Sequence, residues 1–79
     1  MQDIKRSQAL IDMLVHSFGK TTGRGINEEH PHLVLAWRTA GGTAASLTQA
    51  FKMAERLGWV KPSLGQWVVT ELGEHQAGK

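Results

Sequence analysis

The sequence predicts a mainly α chain in which three helices are followed by a small β-hairpin. Three observations carry that expectation. Apolar residues recur at helical spacing in three separate stretches, 4–18, 33–40 and 44–57. A glycine ends each stretch: Gly19, Gly41 and Gly58. Gly58 is followed at once by two strand-like runs, Trp59-Val60-Lys61 and Gln66-Trp67-Val68-Val69-Thr70, which flank Pro62-Ser63-Leu64-Gly65, a turn by composition.

The first helix is expected from a cap at Asp3 to about Phe18. Ile4, Ile11, Leu14, Val15 and Phe18 form its buried stripe, while Lys5, Arg6, Gln8 and Asp12 stay in water. The segment 20–25 reads as a polar loop, and a short third strand is placed near Gly25-Ile26. Asn27 is the expected cap of the second helix, with Glu28 and Glu29 at its positive end. Pro31 is tolerated there, because first-turn amides have no intrahelical acceptor. Leu33, Val34, Trp37 and Ala40 make the apolar face, and Arg38 is left outside.

Gly41-Gly42 turns the chain into the third helix, capped by Thr43. Leu47, Phe51 and Ala54 recur at i, i+4 and i+7, flanked by Ala44 and Ala50. Nearly opposite stand Ala45, Gln49, Lys52 and Arg56. Gly58 stops this helix as a left-handed residue, and Trp59 folds back on Ala54. Strand alternation places Trp67 and Val69 on one face and Gln66, Val68 and Thr70 on the other. If Val68 faces the helices, Trp67 is partly exposed. Glu71-Leu72-Gly73 closes the fold, and residues 1–2 and 74–79 are expected to fray within a single domain, 1–79.

A chain of 79 residues buries only about 60% of its unfolded surface, so three tryptophans supply much of the burial available to it. The absence of cysteine excludes disulfides and thiolate metal sites. The longest apolar run, 33–37, is far too short for a membrane span, and the first residues lack a signal-peptide pattern, which sets a cytoplasmic expectation. Charge is unevenly spread. From Arg38 to Lys61 four cations face only Glu55, whereas the remainder carries five cations and six anions. Such a local positive surface favours phosphate backbones.

Enzymatic and cofactor readings fail on spacing. Gly19-Lys20-Thr21 imitates the end of a phosphate-binding loop, but Leu14 stands where the earlier glycine belongs, and a helix rather than a strand precedes it. His30 and His32 are two apart, wrong for one helical face, and no metal is expected. No Ser/His/Asp grouping or paired carboxylate sits in a recognisable turn, so neither catalysis nor a cofactor is expected.

Leu57-Gly58-Trp59-Val60, a short turn, then Trp67-Val68-Val69-Thr70-Glu71-Leu72-Gly73 resembles the winged helix-turn-helix transcription regulators. In that family a leucine-glycine-x-valine helix end precedes a wing and a valine-threonine-x-x-glycine close. The resemblance implies a three-helix winged helix-turn-helix, with 43–57 as recognition helix and 59–70 as wing. It covers 43–73 closely and the earlier helices by order. The family commonly has an alanine four residues before the turn glycine, and here Trp37 occupies that place, which implies a wider crossing or another register. Lys61 is the one cation of the wing turn.

An α-helix fits the major groove with its N-terminal half toward base edges. The expected base contacts are Ala45, Ser46, Thr48 and Gln49, and the expected backbone contacts are Arg38, Lys52, Arg56 and Lys61. Each of these is equally what a solvated helix face displays. The cations at 20–24 can reach a phosphate or merely lie on a connector. The expected partner is double-stranded DNA. With about three to five phosphate contacts a monomer binds weakly, which favours a homodimer, with helix one or the C-terminal tail at its interface, or a larger complex. The competing reading is a winged helix serving as a protein-interaction adaptor without DNA binding.

Overall fold

The computed structural model describes residues 2–78, with the side chains of Gln2 and Asp3 outside the description. In chain order it has α1 (Gln2–Asp12), continued by a π-helical turn (Met13–Ser17), β1 (Gly25–Ile26), α2 (Pro31–Thr39), α3 (Ala44–Arg56), β2 (Val60–Ser63), β3 (Gln66–Val69) and α4 (Glu71–Gln76). It is a small α+β protein with four helices and one antiparallel sheet of order β1-β3-β2. No helix among the described residues is long and apolar enough to cross a membrane.

The first helix buries Ser7, Leu10, Ile11, Leu14 and Val15, at spacings of three and four. Two of these correct the expected stripe: Ser7 and Leu10 are inside, and Ile4 is 48% exposed. Ser7 is tolerated there because its hydroxyl donates to the Ala50 carbonyl (2.9 Å), which ties α1 to α3. Asp3, the expected cap, falls within α1, and its side chain lies outside the described residues. At the far end, the Phe18 amide donates to the Met13 carbonyl, five residues back, before Gly19 at φ +65° ends the helix.

The start of α2 differs from expectation. Pro31 is its first residue and His30 its cap, with the His32 amide donating to His30 Nδ1 (3.2 Å). A residue before proline is driven out of the α region, so the helix cannot extend back through His30 to Asn27. Asn27 instead closes a turn, its Oδ1 accepting from the Glu29 amide (2.8 Å). Both α2 and α3 end in the same paired hydrogen bonds. Gly42 N–H reaches Trp37 O and Gly41 N–H reaches Arg38 O; Trp59 N–H reaches Ala54 O and Gly58 N–H reaches Glu55 O. Gly41 and Gly58 hold φ of +95° and +79°, as that arrangement requires.

The hairpin is tighter than composition implies. Pro62 and Ser63 belong to β2, paired with Trp67 and Gln66, and the turn shrinks to Leu64-Gly65. Proline fits because β2 is an edge strand, and alternation from the turn puts Pro62 at a non-hydrogen-bonded position. Both turn residues have positive φ, 51° for Leu64 and 78° for Gly65, the signature of a type I′ turn. A leucine held there costs roughly 1 kcal/mol and is fully solvent-exposed, so the strain has no packing compensation. Leu64→Asn is therefore expected to raise stability by about 0.5–1 kcal/mol, read as a higher urea midpoint at unchanged m-value.

The short strand β1 forms where expected, pairing Gly25 with Val68 and Ile26 with Trp67. Its ladder continues into the loop, where the Gly23 amide donates to Val69 O and the Val69 amide to Arg24 O. Beyond the sheet, the chain continues into α4 and packs back on the fold. Thr70 caps α4, Ala77 is buried, and His16 Nε2 donates to the Ala77 carbonyl (2.6 Å). Glu74 accepts from both the amide and the hydroxyl of Thr22, which straps the 20–24 loop to α4. The core between helices and sheet is built on Leu10, Leu14, Leu33, Phe51, Val60 and Val69.

Candidate nucleic-acid interface

Helix α3 places its side chains by two local devices, a cap at the start and a glycine stop at the end. Thr43 Oγ1 accepts from the Ser46 amide (3.1 Å) and Ser46 Oγ accepts from the Thr43 amide (2.8 Å), a reciprocal capping box. From that start, Leu47, Ala50, Phe51 and Ala54 turn into the core. Ala45, Gln49, Lys52 and Arg56 are all exposed. At 100° per residue these four lie within about 60° of arc, a single outward row.

Ser46 does not join the row, a correction to its expected role as a base contact. It is buried, and its hydroxyl accepts from Trp37 Nε1 (2.9 Å) while donating to the Thr43 carbonyl (3.0 Å). Thr48 is half-buried on the sheet-facing flank, and its hydroxyl donates to Glu28 Oε2. The other oxygen of Glu28 accepts from Trp67 Nε1 (3.0 Å). Glu28 thereby clamps the turn before α2 onto both α3 and the sheet. Thr48 has one hydroxyl proton, already committed, and can offer an outside group only its lone pairs and methyl.

Trp67 faces the helices. Its ring stacks on Phe51 with centroids 5.2 Å apart and planes 9° from parallel. That settles the face of the ribbon: Trp67, Val69 and Val60 point inward, so Val68 and its cross-strand partner Lys61 point away from α3. Lys61 shares its side of the sheet with Thr22, Gly23 and Thr70 rather than with the cationic row. Arg38 is exposed in the last turn of α2, where a cation also complements the helix dipole. Of the eight expected contact residues, the structure gathers Ala45, Gln49, Lys52 and Arg56 on one surface and sets Ser46, Thr48 and Lys61 apart from it.

The opposite flank of α3 is formed by α1. A groove of about 390 Å³ runs between them, floored by Met13 and Trp37, with Lys5 and Arg6 on one wall and Ala45 and Gln49 on the other. Lys5 and Arg6 read in the sequence only as solvated residues of a first helix. Nothing local marks them, because their relation to Gln49 exists only through the packing of α1 on α3.

Among the described residues no group of three or more His, Asp or Glu side chains converges as a metal site. His30 is engaged as the cap of α2 and makes an edge contact with Phe18 (6.3 Å). Comparison with known proteins finds no family, no curated protein and no solved structure that matches this chain.

Proposed function

We propose that this chain is a winged-helix module that binds double-stranded DNA, with α3 entering the major groove and the β2–β3 ribbon as its wing, in the manner of a small transcriptional regulator. One observation carries the reading: a helix with an exposed glutamine, lysine and arginine row lies beside a β-ribbon, its opposite face buried in the core. Gln49 suits a bidentate pair with adenine, and Ala45 suits a thymine methyl. Lys52 and Arg56, one and two turns further along, suit the phosphates that flank the groove. A single copy makes few such contacts, so tight binding calls for a second copy on the duplex or a host complex.

Fluorescence anisotropy of a labelled duplex tests the reading. Wild-type protein is expected to bind at low salt, with affinity falling linearly in log–log form as salt rises. Lys52→Gln/Arg56→Gln should flatten that slope by about 1.8, two phosphate contacts at about 0.9 each. Absence of salt-dependent binding by the wild type would sink the proposal. A protein-interaction adaptor is the second reading. Leu64 favours it, since a fully exposed leucine at the ribbon tip is an apolar contact without an intramolecular partner.

A further inference from the structure

The groove between α1 and α3 extends the outward row rather than ending it, since Ala45 and Gln49 belong to both. We infer that this groove seats a phosphodiester of the DNA backbone at its rim, gripped by Lys5 and Arg6 from α1. The inference rests on the DNA-binding reading and adds to it a second cationic element, one that the sequence kept apart from α3.

The choice of flank follows from charge. A helix lying in the major groove has a phosphate wall on each side. On the sheet side of α3 stands the Glu28 carboxylate, fixed by Thr48 and Trp67, and it repels phosphate. On the α1 side stand two exposed cations on long stems. The backbone strand is therefore drawn to the α1 side, within reach of Lys5, Arg6 and the Gln49 amide.

The occupant is a backbone phosphate at the rim rather than a small anion on the floor. The floor is apolar where Met13 and the Trp37 ring form it. Three of its polar hydrogens are already spent: Trp37 Nε1–H on Ser46, the Ser46 amide on Thr43, and the Thr43 amide on Ser46. Lys5 and Arg6 are the cations of its lining, and from the wall they hold an anion at the mouth. A rim contact of this kind carries no base preference, so it should strengthen all sequences alike.

The test compares the salt dependence of duplex binding for three proteins. With Lys5, Arg6, Lys52 and Arg56 all engaged, the wild-type log–log slope is expected near about −3.6, and Lys5→Gln/Arg6→Gln should halve it to about −1.8. At about 0.1 M salt that variant should bind roughly 10- to 100-fold more weakly, on a random duplex and on a preferred one alike. Unchanged affinity and slope in this variant, while Lys52→Gln/Arg56→Gln loses both, would overturn the inference and leave the DNA-binding reading standing. No salt-dependent binding by wild-type protein would remove both together. A second readout requires no substitution. On addition of duplex, the backbone amide resonances of Lys5 and Arg6 on the groove wall should shift together with that of Gln49, and stationary Lys5 and Arg6 signals beside a moving Gln49 would also overturn the inference.

Discussion

Gly73→Ala is expected to destabilise the protein by about 3 kcal/mol or more, enough to remove most of the stability of a chain this size. Gly73 is the third residue of α4 and is buried. A β-carbon built there would stand 2.1 Å from the Trp59 carbonyl oxygen, 2.9 Å from its carbon and 3.1 Å from its Cα. All three are backbone atoms, so no rotamer change relieves the collision. The carbonyl is itself held in place, because it accepts the Thr70 amide at 3.0 Å. Thr70 also donates its hydroxyl to Gly58 O and accepts the Gly73 amide. Helix α4 thus rests, backbone on backbone, on the glycine stop of α3. The sign makes the test sharp. In an exposed helix interior, glycine to alanine stabilises by about 1 kcal/mol, so a rise in the urea midpoint would show that α4 does not dock on Trp59.

That docking also explains why α4 was not legible in the sequence. Six residues with a central glycine have weak helical propensity, and nothing between Glu71 and Gln76 forecasts the surface they rest on. The features that were legible are those with local causes. Thr43 before α3 and the glycines after α2 and α3 act within a few residues, and the structure keeps those boundaries. The outward row of α3 follows from periodicity alone. The start of α2 was legible in principle: the restriction that Pro31 places on His30 outweighs the capping preference of Asn27. Two features needed a distant partner. Alternation leaves the ribbon with two possible inward faces, and only the Trp67–Phe51 stack chooses between them, carrying Lys61 away from α3. Ser46 lies at the margin of the α3 wheel, and it is the Trp37 indole that draws it inward.

The same indole makes Gly42→Ala the second large effect, about 2–4 kcal/mol of lost stability, or a fall in Tm of roughly 10 °C or more. Gly42 has no positive φ, so alanine meets no backbone penalty there; the obstacle is the Trp37 ring. An added β-carbon would lie 2.2 Å from Nε1 and 2.4 Å from Cδ1. The ring cannot simply swing aside. It is 5% exposed, and its N–H is bonded to the hydroxyl that also caps α3, so displacing it loosens the Thr43–Ser46 box. A large tryptophan where α2 turns into α3 is accommodated, on this account, because the turn residue facing it has no side chain. A double-mutant cycle checks the claim. Trp37→Leu alone should destabilise by about 2–4 kcal/mol through the cavity it leaves. Combined with Gly42→Ala the cost should fall well short of the sum, since the methyl enters space the ring has vacated. Additive losses would mean that Gly42 serves the turn for some reason other than room for Trp37. Because the α2–α3 turn sets the angle at which the Gln49, Lys52 and Arg56 row leaves the core, the DNA-binding proposal adds that Gly42→Ala should weaken duplex binding at temperatures where the variant remains folded.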